Sequence, residues 1–371
     1  MAATGQKGLY VNMNTGAVQA YLPPFRNALI NGDMRINQRG TSTNLASLTA
    51  VATTTPGSWV VDRWNVYRPG FVADAGIGQG IGMVYADLPF SDAGITTYAR
   101  VGRKANSATT PIHCDYNMES QDSYRLVGKT VTLSFYYRNG VNFSDNFLTA
   151  TLFSGTGTNQ PLRSGTFTSF ATTAFAKSQS WVRATVTGTV PTSAAQVCLR
   201  FSYTPVGTAG GTDHFDVTGV QLELGSVATP FEVRPFPVEL QLCMRYYERS
   251  SDPSSTHAMI AFYDPHSVQS YSKSALYYDF SVKYKVTKRT ANHILNLYTD
   301  TTTPADNKVW CESPGITAGV LVVTLDFKLL SINGWSLRFS ANVAGVTYNS
   351  AFTSGSGNAF GSVNFEAIAE I

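Results

Sequence analysis

Charge is scarce in this chain. Only 14% of its 371 residues are Asp, Glu, Lys or Arg, against about 25% in an average globular protein. The 27 basic and 24 acidic residues leave a formal net charge of +3. That balance lacks the broad basic surface that holds duplex nucleic acid, so no nucleic-acid partner is expected. Long apolar runs are missing as well. None reaches the roughly 18 residues of a membrane-spanning helix, so no membrane insertion is expected. The opening residues, Met1 to Lys7, show no apolar stretch of signal-peptide type. Cysteine is sparse: Cys114, Cys198, Cys243 and Cys311 are isolated, and no CxxC spacing supports a zinc or thioredoxin-type site. They are expected as reduced, mostly buried thiols. The five histidines form no HExxH, and no GxSxG elbow occurs. Adjacent His113, Cys114 and Asp115 would point to alternate faces of a strand, which excludes a triad. Glu119 with Asp122, or Asp74 with Asp87, could pair as glycosidase carboxylates only at a spatial gap that sequence does not show. No catalytic residue is assigned, and the chain is expected not to be an enzyme.

What is abundant points to β-structure. The chain holds 21 Phe, 19 Tyr, 5 Trp, 31 Gly and 16 Pro. Long helices would bring many Glu, Lys and Arg, so this is a β-protein balance. Residues 1–24 carry few large apolar residues, end in Leu22-Pro23-Pro24, and read as an extended arm. Residues 25–236 read as a first β-domain. Val131, Leu133, Phe135 and Tyr137 alternate with polar neighbours, as do Val197, Leu199, Phe201 and Tyr203. In 215–224 the phase slips at Thr218-Gly219, which predicts a β-bulge. Residues 237–250 read as a linking helix: Pro237 suits its first position, Glu239 its start, and Arg245 and Arg249 its end. Strand patterns resume over 251–371, at 278–286, 321–329, 335–340 and 362–371, and predict a second β-sandwich. The segment GIGQGIG (76–82) lacks the βαβ context of a dinucleotide loop and reads as a flexible surface loop.

Three stretches carry a resemblance. They are NALINGDMRINQRGTS (27–42), WVVDRWNVYR (59–68) and FDVTGVQLELGSVATPFEVRPFPVELQLCMRYYE (215–248). Together they resemble tail-fibre and related structural proteins of tailed bacteriophages, with Met34 where those proteins carry an aromatic residue. The segments NGDMR (31–35), LSFYYR (133–138) and HFDVTGVQLE (214–223) are also similar to the strands of jelly-roll carbohydrate-binding modules. The resemblance implies an all-β chain: a jelly-roll sandwich, a short linking helix and a C-terminal sandwich. It further implies a non-enzymatic virion protein, assembled in the bacterial cytoplasm as a homo-oligomer, a trimer by expectation. Capsid decoration, a head fibre and a glycan-degrading tailspike are the alternatives.

Candidate sites follow from this likeness. In such modules the first and last strands often hold a structural calcium. Asp33 and Asp216 would be its carboxylates here, with Glu223 as a third acid near the six to eight oxygens calcium requires. No other cofactor is implied. The arm, with Tyr10, Tyr21 and Leu22, would anchor the chain to another virion protein. Trp64 and Trp181 read as core, whereas Trp310 and Trp335 lie by Asn/Gly-rich turns and are candidates for stacking on a host glycan. Lys283, Lys285, Lys288 and Arg289 form the densest basic cluster. It reads either as a charge-protected edge or as a contact for an anionic host glycan.

Overall fold

The computed structural model describes residues 25–40, 58–69, 75–81, 95–103, 109–207, 213–250, 277–298, 324–340, 360–362 and 364–370, with short strands at 9–11, 18–20, 49–50, 261–263 and 310–312. The chain is all-β, with two short α-helices, Ser120–Ser123 and Phe236–Met244. Two six-stranded antiparallel sheets make a sandwich. The first sheet runs, in spatial order, Phe167–Ala176, Phe147–Gly155, Gln196–Tyr203, Ile112–Asn117, Trp64–Tyr67 and Ser58–Val61. The second runs Val182–Thr189, Thr130–Asn139, His214–Leu224, Thr97–Arg103, Ala75–Ile81 and Thr49–Ala50. Successive strands cross repeatedly between the sheets, so the inward residues of both fill one core. Trp64, Phe135 and Phe201 lie at its centre, all fully buried; Phe135 meets Phe201 edge-on at 4.7 Å.

The expected bulge is present. The register of His214–Leu224 against Thr130–Asn139 shifts between Thr218 and Gln221, and Gly219 takes φ of 56°. The extra residue returns Val220 and Leu222 to the same core as Phe215 and Val217. The Asn31-Gly32-Asp33 turn docks on this bulge. Val220 donates its N–H to the Gly32 carbonyl at 2.8 Å. A Cβ on Gly32 would lie 2.1 Å from the Val220 carbonyl oxygen, so only glycine fits. Asn31 takes φ of 57° and clamps the turn by donating to the Ile36 and Asp62 carbonyls.

Three local readings change. Thr130–Asn139 is buried on both faces, not one, because Trp181, Tyr98, Ile95 and Phe231 form a second small core over Tyr136. GIGQGIG is not a loop: Ala75–Ile81 is a strand paired along its length with Thr97–Arg103. The linking helix is shorter than 237–250. It ends at Met244, and Tyr247–Arg249 is a strand against Ile368, Ala367 and Glu366. The ladder takes over because Tyr246 and Tyr247 are buried where the two parts of the chain meet. Beyond it lie three three-stranded antiparallel sheets, the first built of Tyr247–Arg249, Asn364–Ile368 and Ile294–Tyr298.

Candidate functional site: an ionic joint and a polar sheet face

The motif residues converge on one buried joint. Arg63, 1% exposed, donates to Glu370 and to the Asn117 carbonyl. Its guanidinium lies 3.5 Å from the centre of the Tyr246 ring and 5.1 Å from that of Tyr116. Arg39 bridges Asp62 and Glu370 at 3.2 and 3.3 Å and covers the Tyr247 ring at 3.7 Å. Gln38 donates to Asp62 and to the Tyr247 carbonyl. Arg245 holds Glu119 with two hydrogen bonds, and Arg289 donates to the Ala369 and Glu370 carbonyls. Burial, opposed by Arg39, pushes the Asp62 carboxyl up to about 6. Burying so many charges is costly unless each is paired and hydrogen-bonded, as these are.

The outer face of the first sheet begins at this joint. Cross-strand register sets its side chains in rows. One row is Tyr67, His113, Ser202 and Thr149; the next is Asn65, Asp115, Arg200 and Thr151. Arg200 grips both oxygens of Asp115 at 2.7 Å, and the Tyr67 ring stacks on His113 at 6.0 Å and 28°. Arg163, from the loop after Phe147–Gly155, reaches the Asn65 side chain. Burial, then the charge of Arg200, pushes His113 down to about 3, so its ring is neutral at ordinary pH. Burial also lowers Arg163. Of these residues only His113 and Asp115 stand out in the sequence, because the rows combine four strands and a loop.

The residues singled out from sequence are not brought together. Asp216, wholly buried, accepts from Arg100 and Arg138 on the strands either side of it. Asp33 pairs with Arg35 at 3.0 Å, and its carboxyl is pushed up to about 6 chiefly by burial. Guanidinium groups thus stand where the calcium of the resemblance would bind, and a second cation would meet like charge. Glu223 accepts from Thr229 and Gln221 instead. Among the described residues no three His, Cys, Asp or Glu side chains group as a metal site. Trp335 is buried at 2% exposure, edge-on to Phe365 at 5.7 Å, so it is no surface platform. The basic cluster is split. Lys283 and Lys285 are exposed, but Lys288 is buried against Glu248 and the Met244 carbonyl, and Arg289 serves the joint. Tyr10 lies on a strand, Leu9–Val11, paired with Val18–Ala20. Tyr21, Leu22 and the side chain of Trp310 fall outside the described residues. Trp64 and Trp181 are buried as expected, and so are Cys114, Cys198 and Cys243. No helix of the described residues is long and apolar enough to cross a membrane.

No protein-family model and no curated protein sequence matches the chain. Among solved structures it is similar to the enzymatically active domain of tailspike protein 4 from bacteriophage CBA120. The identity is 12% over 58% of this chain and 23% of that one, with a TM-score of 0.34. The chain therefore spans about a quarter of that tailspike structure. It is also similar to a carbohydrate-binding module of family 4, at 16% identity over 50% of this chain and 100% of that one, TM-score 0.30. A third similar structure is the CBM22-2 xylan-binding domain of Paenibacillus barcinonensis Xyn10C, at 15% identity over 47% and 98%, TM-score 0.30.

Proposed function

We propose that this protein is a non-enzymatic structural component of a tailed-phage virion, a fibre or fibre-like appendage that contacts the host surface. The observation that carries the reading is the joint. The three segments that resemble fibre proteins supply Gln38, Arg39, Asp62, Arg63, Arg245, Tyr246 and Tyr247 to it. They serve architecture: they fix the jelly-roll part to the chain that follows. An appendage that must hold a distal domain in a set direction needs such a joint. In this reading residues 1–24 attach the chain to another virion protein, and the assembled form is a homotrimer. Immunogold labelling of purified particles with antibody against the protein tests it. Label on tail or baseplate is the expected result, label confined to the head favours a head fibre, and its absence from particles overturns the reading. Release of reducing ends from host polysaccharide would replace the non-enzymatic role with that of a tailspike.

A further inference from the structure

We infer that Lys288 and Glu248 form an isopeptide bond within the folded chain: the lysine amine condenses with the glutamate carboxyl, and one water leaves. The inference goes beyond the proposed function and does not rest on it. The two side chains are 0% and 2% exposed, and Lys288 Nζ lies 2.5 Å from Glu248 Oε2. The Tyr284 ring covers Nζ at 4.7 Å, and behind it stand Phe365 and Trp335. Both partners are held by their backbones. Lys288 donates its N–H to the Ile332 carbonyl at 2.7 Å, and Glu248 sits in a ladder opposite Ala367. Two reacting groups fixed at contact distance in a site shielded from water have a high effective concentration.

Residue type sets this pair apart. The other ion pairs of the described residues are made by Arg or His. A guanidinium stays protonated and is no nucleophile, whereas a buried lysine gives up its proton more readily. Burial lowers Lys288 in this way. The atoms balance without a further reagent. One ammonium proton passes to Oε2 along the existing hydrogen bond, which leaves a neutral amine beside a neutral acid. The nitrogen lone pair then adds to Glu248 Cδ, and the carbonyl electron pair moves onto Oε1. That oxygen already accepts the Lys285 backbone N–H at 2.9 Å, a donor placed for the developing negative charge. A second proton leaves the nitrogen for the Oε2 hydroxyl, the C–Oε2 bond breaks, and water departs as the amide forms. Met244, whose carbonyl accepts from Nζ, keeps the nitrogen aimed during this step. The bond ties the strand Tyr247–Arg249 to the segment after Tyr277–Lys283, across 40 residues of chain.

Mass spectrometry of the whole chain, denatured after purification, tests the bond. The wild-type protein should be one water lighter than its sequence mass. Trypsin should then release a branched peptide in which residues 246–249 are joined to residues 286–289, because Lys288 no longer offers a cleavage site. Lys288→Arg keeps the positive charge but cannot form the amide, so this variant should show its full sequence mass. Wild-type protein at full mass, with the two segments recovered as separate linear peptides, overturns the inference. So does a missing water that persists in Lys288→Arg or maps to another segment. Should Lys288→Arg fail to fold, the wild-type mass and its peptide map decide the question alone.

Discussion

Arg63 and Glu370 are 307 residues apart in sequence and form one buried ion pair, with the arginine held between two tyrosine rings. Removing one partner strands the other charge away from water, which costs about 3–5 kcal/mol. Glu370→Ala should therefore lower the urea midpoint and open the joint. Small-angle scattering should report a larger radius of gyration, while the jelly-roll core keeps its near-ultraviolet dichroism. An unchanged profile would show that the joint is held without this pair.

Two glycines should respond differently to alanine. Gly32→Ala drives a Cβ into the Val220 carbonyl, a main-chain atom inside the bulge, so the turn must move. The expected loss is about 3 kcal/mol or more, seen as insoluble expression or early melting. Gly207 takes φ of 63° with nothing within 4 Å of its would-be Cβ. There only the backbone strain remains, about 1–2 kcal/mol, and the variant should fold.

The pH dependence has opposing parts. Burial holds His113 at about 3 and His214 at about 4, below the ordinary 6.5. Between pH 6.5 and those values the unfolded chain binds more protons, so these histidines withdraw stability as pH falls. Burial raises Asp33 and Asp62 from 3.8 to about 6, so in that window the folded state binds more protons and stability grows as pH falls. In the double variant His113→Asn, His214→Asn, the carboxylates should dominate. Its urea midpoint should rise from pH 7 to pH 5, whereas adding Asp62→Asn should flatten that rise. A midpoint that falls in the double variant would contradict the assignment.

Trp335→Ala should act on stability. The side chain is packed edge-on against Phe365, itself buried. Truncation of such a residue costs about 3–5 kcal/mol, to be read as a lower melting temperature of the C-terminal sheets.

Thiol accessibility gives a simpler check. Cys114, Cys198 and Cys243 are buried, and burial raises all three thiols. Since the thiolate is the reactive form, these three should resist a maleimide in native buffer and react in urea, as peptide mass mapping would show.

The strands were legible because their side chains alternate locally, and the bulge because Gly219 breaks that phase where an inward face must be restored. The end of the helix was not. Val238, Leu242 and Tyr246 keep a helical spacing, but Tyr247–Arg249 obeys a ladder partner more than a hundred residues downstream. The same distance hid the charges. Asp216 looks like a free carboxylate in sequence, yet register places Arg100 on one side of it and Arg138 on the other. Tyr67, Arg163 and Arg200 looked generic because only folding sets them beside His113 and Asp115. Trp335 misled for the opposite reason: a turn lies beside it at Ile332-Asn333, but its ring is packed against Phe365.

The joint also determines how the molecule carries load. The helix Phe236–Met244 alone would be a thin connection between the two parts. Arg39, Arg63 and Arg245 tie them through side chains from distant stretches of sequence, and Arg289 braces the Ala369-Glu370 end that two of them hold. A pull on the C-terminal sheets is then shared in parallel across several charged contacts, so torque at one end reaches the other without first unwinding the link.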